Sequence, residues 1–311
     1  MVPNSSKSRL FTLLWLCFAS SHLCLSQDGV IKIDTRLVSV PLTVFDRSGR
    51  HITNLKKEDF RVFENGVEQE IKFLDTVDKP VTVLLVMDVS GSMLDDADAL
   101  ANAATIFLNN LRPYDTVAAA TFNQEVHFIF NFAEAKEVWK RKKFKLRVDG
   151  LPPVTMIYDG MDFALRKMEK VKGRKAIIFF SDAVGSGIFA SAESNFQDAE
   201  ENEAVIYTVQ FGAFEQPLKP ANRKRLLETI ATATDYMVRM AEISGGKHYQ
   251  IEKIDDLERT FVEIVRELGL QYNLGYHPKT EAKRGERRRI KVETNVPNLV
   301  VRARDSYLVT N

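Results

Sequence analysis

The 311-residue sequence predicts an α/β fold, a doubly wound and mostly parallel sheet, with a small β module formed by the N- and C-terminal flanks of the chain. Three observations predict it. Between Pro80 and Leu270, apolar runs of strand length alternate with amphipathic helical segments, which is how parallel strands covered on both faces read in sequence. Ahead of Pro80 the residues alternate and break at turn signals. Beyond Leu270 the strand pattern returns. With 45% apolar and 27% charged residues the chain can bury a full core, which excludes disordered and fibrous classes.

The elements follow in order. Lys7 and Arg9 precede the apolar run Leu10–Ala19, the pattern of a secretory signal peptide over residues 1–26, with small residues at Ser20, Ser21 and Ser26 and a mature start near Gln27. The apolar run is short for a bilayer span, so the reading is a cleaved leader and an exported protein, periplasmic or secreted. Both cysteines, Cys17 and Cys24, fall inside this leader. The mature chain therefore has no disulfide, no thiol chemistry and no cysteine-ligated zinc. Loss of Lys7 and Arg9 takes the 43 basic residues to 41 against 42 acidic ones, a net charge of about −1, and nothing in that balance points to nucleic acid or an anionic membrane. No later apolar run has the length of a transmembrane helix.

Residues 27–79 read as the N-terminal β module. Leu37–Phe45 alternates, Asp46-Arg47-Ser48-Gly49 breaks the run, and Phe60–Phe63 and Val67–Phe73 flank Asn65-Gly66, a strong hairpin signal because both residues tolerate positive φ. Residues 80–270 read as the α/β domain. Its strands are expected at Val81–Met87, Thr116–Phe122, Val126–Phe130, Lys175–Phe180, Ala204–Phe211 and His248–Ile251. Its helices are expected at Asp95–Leu111, Ala133–Lys143, Ile157–Val171, Asn195–Asn202, Asn222–Ser244 and Ile254–Leu268. In the first of these helices Leu94, Ala97, Leu100, Ala101, Ala104, Ile106, Phe107 and Leu108 recur at helical spacing and mark a core face. Residues 271–311 hold strands at Tyr272–Tyr276, Arg289–Glu293 and Leu299–Arg304. That segment is too small to stand alone, so it is expected to pack with the N-terminal module.

The chemistry concentrates at the end of the first apolar strand of the domain. Asp88-Val89-Ser90-Gly91-Ser92 follows Val81–Met87 directly, placing one carboxylate and two hydroxyls on a short turn at the carboxyl end of a strand, where open α/β sheets keep their sites. Hard oxygen donors of this kind suit Mg²⁺, Ca²⁺ or Mn²⁺. Thr155 lies in a loop feeding a helix, and Asp182 follows the buried strand Ala176–Phe180 and Ser181.

The order Asp-x-Ser-x-Ser, then threonine, then aspartate, each beside a suitable strand or helix, resembles the metal-ion-dependent adhesion site of von Willebrand factor type A domains. The resemblance implies that Ser90 and Ser92 bind a divalent cation directly, with Mg²⁺ first among the three. It implies too that Asp88 and Asp182 orient metal-bound waters and that Thr155 joins when a ligand is bound. An ion held mainly by neutral hydroxyls stays electrophilic, so a partner protein would complete the shell with an Asp or Glu carboxylate. Family members carry glycine before the threonine and after the second aspartate, where this chain has Val154 and Ala183.

The flanks extend the match. Val44-Phe45-Asp46, Gly49, Leu55 and Glu58–Gln69 resemble the leading segment of an exported VWFA-related bacterial family known mostly from acidobacterial genomes, and Tyr272–Pro278, Arg288–Val292 and Val301–Arg304 resemble its closing segment. Ser306-Tyr307 stands where that family has a glycine-tyrosine pair.

Other features carry less. Lys136–Arg147 is a basic run that reads as a solvated helix face, and Arg284–Lys291 as a charged edge. His51, His127, His248 and His277 lack metal spacing. Ser90 and Ser92 sit in no Gly-x-Ser-x-Gly elbow and the chain has no phosphate loop, which argues against hydrolase and nucleotide chemistry. The expectation is an exported, non-enzymatic protein that binds a divalent cation and mediates adhesion or another protein–protein interaction. Met93, Met156, Gly185 and Phe189 are expected on the rim of its site. The alternative is a structural or assembly component of the cell envelope with a degenerate metal site.

Overall fold

The structure, a computed structural model, describes residues 37–76, 79–91, 96–140, 146, 155–182, 187–212 and 220–310, with no side chains for 220–223. All of them belong to one compact unit, Ile33–Asn311. The predicted leader, residues 1–26, lies outside the described residues.

The central sheet arises from the apolar runs. β5 (Val81–Asp88), β6 (Thr116–Phe122), β7 (Val126–Glu134), β8 (Arg174–Ser181), β9 (Val205–Phe211) and β10 (His248–Ile251) lie in the order β10-β9-β8-β5-β6-β7. Every neighbouring pair is parallel except β6 and β7. Successive side chains of a strand face opposite ways. Val83, Leu85 and Met87 of β5 therefore join a core with α1 (Ala97–Asn110), α2 (Ala135–Val138) and α6 (Asp256–Leu268), while Leu84 and Val86 join one with α3 (Ile157–Glu169), α4 (Ala192–Glu201) and α5 (Pro220–Ser244). This two-sided burial is the doubly wound α/β arrangement that the sequence predicts.

The flanks build two antiparallel sheets. β1 (Val38–Asp46) lies between β11 (Tyr272–Tyr276) and β13 (Leu299–Ala303), and β4 (Ile71–Asp75) pairs with β11. β12 (Arg287–Thr294) pairs with β2 (Phe60–Glu64) and β14 (Ser306–Leu308), and β3 (Val67–Gln69) closes the hairpin on β2. Asn65 and Gly66 take φ of 48° and 83° at its turn. The inner faces share one core, Val40, Leu42, Val44, Val62, Tyr272, Leu274 and Ile290 among others. Within it the Glu64 carboxylate receives Arg288 Nη1 at 2.5 Å and the hydroxyls of Tyr276 and Tyr307 at 2.8 Å each.

Arginines tie this module to the α/β sheet. Arg174 donates to the carbonyls of Lys79 (2.7 Å) and Leu268 (2.5 Å), the two places where the chain passes between module and sheet. Arg302 pairs with Glu267, which also receives the Tyr207 hydroxyl at 2.6 Å, and Arg304 donates to the carbonyls of Glu200 and Asn202.

Two helices differ from expectation by more than two residues at an end. Helix was predicted over Ala133–Lys143, but β7 runs on through Glu134 because Ala133 and Glu134 still pair with Val117 and Thr116. Only Ala135–Val138 is helical there, and residues 141–145 lie outside the described residues. α4 begins three residues early, at Ala192, because the Ser191 hydroxyl accepts the Ser194 N–H at 3.1 Å and caps the helix. Among the described residues no helix is long and apolar enough to cross a membrane.

Candidate metal centre

β5 and β8 are adjacent and in register, Met87 opposite Phe180, so their carboxyl ends finish together. Asp88 thus meets Ser181, whose hydroxyl donates to Asp88 Oδ2 at 2.7 Å, while the Ser90 N–H donates to Oδ1 at 2.9 Å. The Val89 N–H donates to the Phe122 carbonyl at 3.0 Å, holding the turn after β5 against the end of β6. Asp182 is the residue directly after β8.

Thr155 comes from the other side. The Met156 N–H donates to the Asn123 carbonyl at 2.9 Å, which fixes the entry to α3 beside the end of β6. α3 lies so close to the sheet that a Cβ at Gly160 would stand 2.7 Å from Phe122 Cδ2. Glycine there lets the helix, and Thr155 ahead of it, approach the strand ends.

Four of the five predicted site residues are described, and all four are nearly sealed: Asp88 0%, Ser90 2%, Thr155 2% and Asp182 6% exposed. Ser92 lies outside the described residues, as do Val154, Ala183, Met93 and Gly185. Burial pushes the Asp88 carboxyl up to about 7, with the neighbouring Asp182 charge adding to it and the hydrogen bonds from Ser181 and Ser90 opposing. Two neighbouring buried carboxylates repel, and a bound cation would relieve that repulsion. Oxygen donors alone, two carboxylates and two hydroxyls, fit a hard divalent ion. Among the described residues no group of three or more His, Cys, Asp and Glu forms a metal cluster of the other kind.

The sequence did not single out Ser181, which fixes Asp88, or Asn123, which fixes the Thr155 loop. Ser181 could have been found by its place beside Asp182, but its meeting with Asp88 requires the strand order. Of the expected rim, Phe189 is 89% exposed, whereas Met156 is 7% exposed and belongs to the interior. Met156 is the N-cap residue of α3, and its N–H is bound at the end of the sheet.

A doubly wound sheet with acids and hydroxyls gathered at its carboxyl edge defines a class of oxygen-lined sites in open α/β folds. Residues 83–185, from β5 past the end of β8, match the family model for the von Willebrand factor type A domain. Over that stretch the α/β part of this chain is similar to a von Willebrand factor type A domain.

Among solved structures, a von Willebrand factor type A protein from Catenulispora acidiphila is 12% identical, with TM-score 0.47, over 80% of this chain and 73% of that one. Proximal thread matrix protein 1 from the mussel byssus, with a zinc-occupied MIDAS motif, is 14% identical, with TM-score 0.45, over 68% of this chain and 50% of its own. The vWF domain of the type V pili tip protein Mfa5 from Porphyromonas gingivalis is 11% identical, with TM-score 0.44, over 60% and 94%. A search of curated proteins gives no match.

Proposed function

We propose that this chain is an exported, non-enzymatic recognition protein. It binds a divalent cation, Mg²⁺ first, through Asp88, Ser90, Ser92, Thr155 and Asp182, and engages a protein partner through an Asp or Glu carboxylate. The observation that carries the reading is the buried Asp88, braced by Ser181 and by the Ser90 N–H and raised by Asp182 beside it. The cation supplies a Lewis-acidic position open to a partner's oxygen.

The chain's own residues do the rest. Ser181 and the Ser90 N–H hold the Asp88 carboxylate in one orientation, and the loop ahead of α3 delivers Thr155 to the same buried edge of the sheet. Acids and hydroxyls without a nucleophile elbow around Ser90 support recognition over hydrolysis.

Calorimetric titration of the chain with Mg²⁺, Ca²⁺ and Mn²⁺ tests this directly. Saturable binding that disappears in Asp88→Ala is expected; equal binding by the variant overturns the assignment. The exchange of Val154 and Ala183 for the family's glycines favours one second reading, an envelope assembly component with a degenerate site. Assemblies that persist unchanged in chelator would select it.

A further inference from the structure

Building on the metal-dependent recognition proposed above, we propose that Ile188 and Phe189 form an apolar jaw beside the site. The partner segment would then carry a large apolar side chain within a residue or two of the carboxylate it offers. Among the described residues these are the two most exposed large apolar side chains, 66% and 89%, and they are consecutive. Single exposed apolar residues are ordinary on a protein surface. These two differ in being held.

The Asp159 carboxylate accepts three successive backbone N–H groups, those of Ile188 (3.0 Å), Phe189 (3.0 Å) and Ala190 (2.7 Å). A Cβ at Gly187 would stand 2.9 Å from Tyr158 Cβ and 2.4 Å from the Ala190 carbonyl, so the loop lies directly against the first turn of α3. Beyond it Ser191 caps α4, and Asn195 Nδ2 donates to the Tyr158 carbonyl at 2.9 Å. The segment 187–191 is thus clamped along its length to the turn that Thr155 leads into. Asp159 is four residues past Thr155, about one helical turn.

A loop fixed in this way has already lost the conformational freedom that docking would otherwise take from it. An unshielded aromatic on a preorganised loop is suited to burial against a partner. The metal site alone would accept any accessible carboxylate, since its donors are acids and hydroxyls with no means of reading a side chain. Ile188 and Phe189 supply that means, so the occupant is an acidic residue flanked by Leu, Ile, Val or Phe in an exposed protein segment.

The test is a library of displayed random peptides panned on the full chain in Mg²⁺, with the selected peptides titrated by fluorescence anisotropy. Enriched peptides are expected to place Asp or Glu within two positions of a large apolar residue. Ile188→Ser and Phe189→Ser should each weaken them about tenfold, with Mg²⁺ uptake and melting temperature unchanged, while chelator or Asp88→Ala abolishes binding. Acidic peptides without apolar preference, or chelator-sensitive binding unaltered in both serine variants, would overturn the jaw and leave the metal reading standing. Binding indifferent to chelator, or no enrichment, overturns the metal reading and the jaw with it.

Discussion

Asp88 serves two conflicting demands, since the position that suits a metal is a poor one for an unscreened carboxylate. It is fully buried, its charge is opposed by Asp182, and hydrogen bonds from Ser181 and from the Ser90 N–H and hydroxyl favour the ionised form. Asp88→Asn keeps the shape and removes the repulsion. Its melting temperature in chelator should equal or exceed that of the parent by a few degrees, about 1 kcal/mol for a domain of this size, while the upward shift on adding Mg²⁺ disappears. Scanning calorimetry with and without Mg²⁺ reads both, and a variant that melts well below the parent in chelator would mean that Asp88 is structural.

His248 gives a second prediction at this scale. The Thr208 hydroxyl has one proton and donates it to the Met237 carbonyl at 3.0 Å, so its 2.9 Å contact with His248 must be donated by Nδ1–H. Nε2 is then a neutral acceptor, buried and without a partner among the described residues. Burial lowers the pKa of His248 from 6.5, so between the folded and unfolded values the unfolded chain binds more protons. Stability is full above pH 6.5 and falls as the pH drops below it towards the folded value. His248→Gln should flatten the loss of stability between pH 6.5 and 5, measured by urea midpoints.

At the scale of elements, the site depends on how closely α3 meets the sheet. Gly160→Ala sets a Cβ against the Phe122 ring, itself buried and packed on Phe179 at 4.8 Å between centroids, so it cannot swing aside freely. The expected cost is about 1–3 kcal/mol, read from denaturant melts, together with weaker metal affinity as Thr155 is pushed away. That stability cost with unchanged metal affinity would separate α3 packing from the site.

Elements also mark the limit of what the sequence discloses. Strand cores such as Val81–Met87 and Thr116–Phe122 were legible because each is a run of apolar residues and threonine bounded by turn residues. The short α2 was not, because Ala133 and Glu134 are kept extended by partners on β6, a contact that propensity does not record. Asp88, Ser90, Thr155 and Asp182 were legible by order and type. Ser181 was not legible as a brace, since its role exists only once β8 lies beside β5.

Across the whole molecule the governing fact is that strands from the two ends of the chain share one core. Val38 pairs with Tyr276 and Glu64 with Ile290, each more than two hundred residues away in sequence, so neither flank can complete the module without the other. The buried knot of Glu64, Arg288, Tyr276 and Tyr307 joins those flanks chemically. Arg174 binds both chain crossings to the central sheet, and Arg302 and Arg304 bind the module to Glu267 and to the end of α4. Arg288→Met leaves the Glu64 carboxylate buried, held by two phenols and no cation, and should cost about 3–5 kcal/mol. Because the module is fastened at both crossings and by three arginines, that loss should appear as one cooperative transition displaced to lower temperature. Two transitions, with the module melting ahead of an unaltered α/β domain, would show instead that the arginine ties are too weak to couple them, and the edge strands β4 and β13 would then be the first surfaces to open.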